Sequence, residues 1–145
     1  MNTSTITLAE TDASITDCFS IMRQLRPSLI EADFLPRVRR MQTQGYQLAF
    51  AADAAGIPRC AAGFRQMEML YSGRTLYVDD LVTEAACRSQ GYGDHMIDWL
   101  LRRARAAGIE EFSLDSGTQR VDAHRFYMRK RMQISGFHFS LRLKS

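Results

Sequence analysis

Arg88-Ser89-Gln90-Gly91-Tyr92-Gly93 stands between a strand-like run and a strongly helical one, and the fold turns on how it is read. Two glycines one residue apart let the backbone turn tightly and approach a ligand, because neither presents a Cβ. The helix that follows offers unpaired N–H groups and the positive end of its dipole, which suit a phosphate or pyrophosphate. The loop is therefore an anion cradle. No Gly-Lys-Ser/Thr follows, so it is not a P-loop, and the third glycine of a dinucleotide-binding G-x-G-x-x-G is missing.

Working outward, residues 93–107 read as the clearest helix. Met96, Ile97, Leu100, Leu101 and Ala104 form its apolar stripe. Asp94 and Asp98 come early and the arginines late, matching the dipole, and Gly108 is a stop. Upstream, Tyr46–Ala52, Arg59–Leu70 and Thr75–Thr83 read as three strands with short turns, an antiparallel meander. Before them come a short strand at Thr5–Ala9, a helix over 14–29 capped by Asp12 or Ser14, and a second helix carrying Phe34, Val38 and Met41 that ends at Gly45. Downstream, Glu111–Asp115 reads as a strand and Ala123–Lys130 as a helix with Phe126 inward. Phe137–Leu143 reads as a closing strand, with Phe137, Phe139, Leu141 and Leu143 on one face. The last strand is also where a second copy, in a homodimer, would pair.

The 145 residues predict one domain, 1–145, able to bury a sizeable core. No apolar run approaches the ~20 residues of a membrane helix. The first ten residues lack a basic region followed by an apolar stretch, so a cytoplasmic protein with no membrane partner is expected. Cys18, Cys60 and Cys87 are odd in number and widely spaced, which predicts reduced thiols. With no ligand spacing among these cysteines and His95, His124 and His138, no metal is expected. A net charge of +3 is too small an excess to indicate a nucleic-acid partner. Arg102, Arg103 and Arg105, and likewise Arg125, Arg129, Lys130 and Arg131, form either solvated helix faces or a surface for a polyphosphate.

With these residues placed, the chain resembles the GNAT superfamily of N-acetyltransferases. The family's Gln/Arg-x-x-Gly-x-Gly/Ala signature stands here as Arg88 to Gly93, after Leu76-Tyr77-Val78-Asp79-Asp80-Leu81-Val82-Thr83. A small-plus-aromatic helical segment stands as Ala123-His124-Arg125-Phe126-Tyr127. The resemblance covers nearly the whole chain. It implies an α+β (three-layer) fold, a mixed, mostly antiparallel twisted sheet flanked by helices. It implies acetyl-CoA as acyl donor and a primary amine, on a small molecule or a protein, as acceptor. By motif position Ser89, Gln90, Gly91, Tyr92, Gly93 and Asp94 would hold the pyrophosphate, and Arg88 would position phosphate or anchor the loop. The backbone of Leu81, Val82 and Thr83 would pair with the pantetheine arm as a peptide adds to a sheet edge. That pairing requires the strand to splay from its next neighbour. One departure is that Arg129 to Ser135 intervenes before Gly136-Phe137, where the family commonly passes directly from the aromatic pair to Gly-Phe.

Acyl transfer to an amine needs a proton acceptor, two substrates held together, an oxyanion donor and an acid for the departing thiolate. The Val82 N–H is the candidate oxyanion donor. Tyr127 is the candidate acid; the alternative is a buried aromatic whose hydroxyl is satisfied. Asp79 and Asp80 are unusual in a strand, where neighbours point to opposite faces and Asp is disfavoured. At least one would line a polar cavity and accept the amine proton or hold a cationic acceptor; otherwise the strand bulges and both are solvated. Glu84 could serve instead. Asp115 is a weaker candidate for the acceptor site or a cap for the loop Ser116-Gly117-Thr118, His124 could contact ligand or act as a base or be structural or exposed, and Cys87 has no activating base nearby. Two other classes share the cradle: a non-catalytic acyl-CoA sensor or interaction module, and a nucleotide-phosphate binder.

Overall fold

The computed structural model describes residues 4–144, whose contacts fall into two compact units, Met1–Ser113 and Leu114–Ser145. The sheet order is β1-β2-β3-β4-β5, with β1 Ile6–Leu8, β2 Tyr46–Ala52, β3 Pro58–Met69, β4 Gly73–Thr83 and β5 Glu111–Leu114. The first four strands pair antiparallel, as the meander predicts. Among the described residues no helix is long and apolar enough to cross a membrane.

The expected helix over 14–29 is two helices, α1 Asp12–Asp17 and α2 Phe19–Leu25, meeting at Cys18. Neither Asp12 nor Ser14 is the cap. Thr11 takes the extended cap conformation and its Oγ1 accepts from the Ser14 N–H (3.1 Å), while the Ser14 Oγ accepts from the Thr11 N–H (3.1 Å). This reciprocal box satisfies two orphan donors at once. α2 stops at Arg26, because the residue before Pro27 is pushed out of helical geometry. α3, Glu31–Gln42, carries Phe34 and Val38 inward.

The helices α1 to α3 cover one face of the sheet. Ile15, Phe19, Ile21, Met22, Phe34 and Val38 cluster there with Tyr46, Leu48, Ala61 and Val82. Alternation sends Ala49, Ala62 and Phe64 to the other face, where Phe64 meets Trp99 of α4 edge-on, with ring centroids 6.1 Å apart. α4 runs Tyr92–Ala106 and buries Met96, Ile97, Leu100 and Ala104, the stripe its periodicity predicts. Three layers result. The thiols of Cys18 and Cys60 are buried, which pushes them up to about 12 and about 11 respectively.

β5 follows α4 and begins beside β4. The Glu110 N–H donates to the Arg74 carbonyl (2.8 Å), and the Glu110 carboxylate accepts from the Arg74 N–H (2.8 Å). Since β5 starts where β4 starts and lies next to it, the two run in the same direction. At about 3.3 Å per residue, four residues of β5 end before the level of Leu81. The edge of β4 at Leu81–Thr83 therefore has no strand beside it among the described residues.

In the C-terminal unit, α5 spans Val121–Arg129. It closes with Arg131 in the left-handed region (φ 65°) and the Met132 N–H donating to the Tyr127 carbonyl (3.1 Å). This six-to-one closure is a Schellman turn with arginine where glycine is usual. It accounts for part of the extra segment after the aromatic pair. The expected closing strand does not form. Residues 133–144 carry no strand, and the side chains of Phe137, Phe139, Leu141 and Leu143 are 85, 92, 83 and 90% exposed. Alternation encodes an apolar face, but a strand also needs a neighbour to accept its backbone hydrogen bonds.

Candidate active site

The cradle is built by left-handed backbone. Gly91 is the N-cap of α4 at φ 84°, and Ser89 before it sits at φ 69°, a region costly for a residue with a Cβ. The Gln90 N–H turns back to the Cys87 carbonyl (3.3 Å) and the Arg88 N–H to that of Ala85 (3.5 Å). The N–H groups of Gly91, Tyr92 and Gly93 have no backbone acceptor among the described residues, and no side chain caps the helix. Three adjacent donors at a helix N-terminus, on exposed or half-buried backbone save for the buried Tyr92 ring, fit a pyrophosphate. The Arg88, Ser89, Gln90 and Asp94 side chains are exposed around them. The open edge of β4, with Leu81 and Thr83 half-buried and Val82 buried opposite Ala61, is continuous in sequence with this loop through the turn Ala85–Cys87.

Asp79 and Asp80 do not point to opposite faces. The β3–β4 register shifts between Gly63 and Phe64, so that Gly63 faces Asp80 while Phe64 faces Val78, leaving Asp79 as the extra residue of a bulge. The bulge turns both carboxylates to the α1–α3 side, and neither is simply solvated. Arg65 grips Asp79 with two bonds, Nε at 3.1 Å and a terminal nitrogen at 2.8 Å. Asp80 accepts from the Tyr46 hydroxyl (2.9 Å) and from Arg26 Nε (3.1 Å), and Arg26 also donates to the Asp79 carbonyl (3.0 Å). Arg65 in turn lies 5.5 Å from the Tyr46 ring centroid. Gly63 makes room for this arrangement, because a Cβ there would overlap the Tyr46 hydroxyl and ring.

Electrostatics separate the two acids. Burial pushes the Asp79 carboxyl up, against the pull of its Arg65 pair. Tyr46 is held well above its usual value, first by burial and then by the Asp80 charge beside it, so its proton stays in the bond to Asp80. Asp80 is 15% exposed, and its partner Arg26 is 51% exposed. An outside cation can therefore compete for Asp80, whereas Asp79 is held by a partly buried fork.

Arg26, Arg65 and Tyr46 were not among the expected site residues, since nothing local to them signals a carboxylate dozens of residues away. Gly63 was the available signal: a glycine inside a strand marks a bulge or a close approach. Glu84 accepts from the Gln24 amide (2.6 Å), which ties it to α2. Arg103 lies over Trp99 and Phe64, 5.3 and 6.0 Å from the ring centroids, while Arg102 and Arg105 are exposed. Within the C-terminal unit, Tyr127 is half-buried, and burial pushes its hydroxyl up. Its ring lies 5.6 Å from that of Phe126. His124 Nε2 bonds the Gly117 carbonyl (2.8 Å), and Asp115 lies 3.6 Å from His138; both histidine and acid hold local structure.

Against known proteins, residues 16–132 match the model of the acetyltransferase (GNAT) family. The chain is 38% identical over 115 residues to "Uncharacterized N-acetyltransferase YhdJ" of Bacillus subtilis (strain 168), covering 79% of this chain and 80% of that one. It is 36% identical over 63 residues to the aminoalkylphosphonate N-acetyltransferase of Salmonella typhimurium (strain LT2), covering 43% and 41%. Among solved structures, a putative acetyltransferase from Agrobacterium tumefaciens str. C58 superposes with a TM-score of 0.80 at 20% identity, over 95% of this chain and 99% of that chain.

Proposed function

The chain belongs to the acetyltransferase (GNAT) family and is an acyltransferase, and from that premise we propose that it moves the acetyl group of acetyl-CoA to a primary amine by direct attack in a ternary complex. One observation carries the donor assignment. Three unpaired N–H groups at the start of α4 lie next in sequence to a β4 edge with no strand beside it. An anion cradle followed by an open edge suits a pyrophosphate with a long, amide-bearing arm. Ser89 to Asp94 would hold the pyrophosphate and Leu81 to Thr83 the arm.

In the proposed reaction the amine nitrogen attacks the thioester carbonyl and the C–S bond breaks. Asp80, directly or through water, takes the amine proton, and the Val82 N–H stabilises the oxyanion. Tyr127 protonates the departing thiolate; its raised pKa keeps that proton available until the thiolate forms. Between the carboxylates, Asp80 is favoured for the amine because its arginine is exposed and exchangeable, while Asp79 anchors the bulge. A carboxylate there favours a cationic amine. The aminoalkylphosphonate activity of the Salmonella relative puts aminoalkylphosphonates in the first acceptor screen, beside polyamines and lysine peptides.

Calorimetric titration with acetyl-CoA at sub-millimolar concentration is expected to give saturable binding, and no binding would sink the reading. Gly91→Val is expected to weaken that binding about tenfold or more, since a branched residue at φ 84° is strained by roughly 1–2 kcal/mol and narrows the cradle. Once an acceptor is found, wild-type turnover in Tyr127→Phe would remove the acid assignment.

A further inference from the structure

The two acids of the β4 bulge are neutralised before any substrate enters. Asp79 and Asp80 each meet a guanidinium group, that of Arg65 and that of Arg26, at 3.1 Å or less. A lone carboxylate attracts any ammonium; a carboxylate that already carries an arginine does not. A simple cation placed on Asp80 must displace Arg26 and then lie beside it, and the group of four charges becomes net positive. Like charges at such range oppose binding.

The two arginines differ in what they can release. Arg65 gives Nε and Nη2 to Asp79, is 19% exposed and lies over the Tyr46 ring. Arg26 is 51% exposed. Its Nε reaches Asp80 Oδ1 (3.1 Å) and its Nη2 the Asp79 carbonyl (3.0 Å), while Nη1 has no partner among the described residues. Its backbone is fixed on both sides. The Arg26 N–H donates to the Met22 carbonyl (2.9 Å), and the Arg26 carbonyl accepts from the Leu29 N–H (3.1 Å). The head can therefore turn on its long stem with no change in α2. Asp80 stays aimed meanwhile, because the Tyr46 hydroxyl holds Oδ2 (2.9 Å) and leaves Oδ1 as the exchangeable oxygen.

We propose that Arg26 is the specificity-determining residue of the acceptor site and selects zwitterionic amines, short molecules that carry an anion close to the amine. The ammonium takes Oδ1 of Asp80, and the carboxylate or phosphonate takes the guanidinium of Arg26. One ion pair becomes two, and the charge stays balanced. The guanidinium offers its donors in a planar fork that suits either anion. Asp80 Oδ1 and Arg26 Nη2 lie 3.0 Å apart, so a short linker must join the two groups of the substrate. Polyamines and lysine side chains bring positive charge alone and are disfavoured by the same arginine. This inference rests on the proposed reaction and narrows its acceptor.

NMR titration of the full chain in the presence of CoA, with β-alanine, 2-aminoethylphosphonate and 1,3-diaminopropane in turn, reads acceptor binding without turnover. The wild type is expected to favour at least one zwitterion over the diamine by roughly ten- to a hundredfold, the strength of a hydrogen bond between charged groups. Arg26→Gln should abolish that preference at an unchanged melting temperature, because the side chain is half in solvent. Arg26→Lys should keep most of it, and Arg26→Glu should reverse it. The proposal is overturned by a wild type that binds the diamine as tightly as either zwitterion, by one that binds none of the three, or by a preference that survives Arg26→Gln. CoA release from acetyl-CoA, measured with the same amines, separates the two readings. A zwitterion preference in binding with no transfer to any amine would remove the reaction and leave Arg26 its role. Transfer that favours the diamine would keep the reaction and overturn the selection.

Discussion

β4 and the segment 137–143 are written in the same code and end differently. Each alternates apolar and polar residues, yet Leu76 and Val78 are buried in a ladder while Leu141 and Phe139 stand in solvent. The difference lies in their neighbours. β4 is flanked by β3 along its whole length and follows it through a three-residue turn, so its pairing is local and cheap in loop entropy. The C-terminal segment is separated from β5 by α5, and residues 133–144 form no strand. Alternation specifies which side of a strand is dry; it does not say against what.

The sharpest test of β4 lies where it breaks its own alternation. Asp80→Asn should lower turnover by about 100- to 10,000-fold, the range for a lost general base, with acetyl-CoA binding retained; wild-type turnover would leave Asp80 only a structural role. Next comes the direct contrast. Leu76→Ala, at a fully buried position, should cost about 2–5 kcal/mol in denaturant unfolding. Leu141→Ala, at an exposed position, should cost less than about 0.5 kcal/mol. Equal costs would mean that Leu141 is packed as Leu76 is.

Gly63→Ala addresses the bulge. The new methyl must push Tyr46 off Asp80, an overpacking cost of about 1–3 kcal/mol, and unchanged melting would show that the Tyr46–Asp80 bond is dispensable. The smallest effect is in the pH profile. Asp79 has a raised pKa in the fold, so the unfolded chain loses this proton first. Stability therefore falls as pH rises from the usual carboxylate value through the folded value of Asp79, and is flat above it. Asp79→Asn should remove that downward slope, measured by urea titration across the acid range; an unaltered slope would assign it to another group.

Much of this was legible in advance because it depends on short stretches. The glycines of the loop, the α4 stripe and the breaks between β2, β3 and β4 each follow from a few adjacent residues. Misreadings came where a longer range intervened. Ile15, Phe19 and Met22 keep helical spacing straight across Cys18, so periodicity predicts one helix where there are two; it does not register a change of axis. Asp79 and Asp80 were set on opposite faces by a rule that holds only in a regular ladder, and the exception was coded on another strand, at Gly63.

The sequence alone therefore determined the three-layer fold, the glycine turn at Arg88–Gly93 that opens α4 and the family, because backbone preference and apolar period act over a few residues. Only the tertiary structure decided that both carboxylates share a face, that Arg65 locks one while an exposed Arg26 holds the other, and that residues 133–144 form no strand. Those outcomes depend on which distant segments meet, and pairing between segments is set by the whole packed sheet rather than by any local pattern.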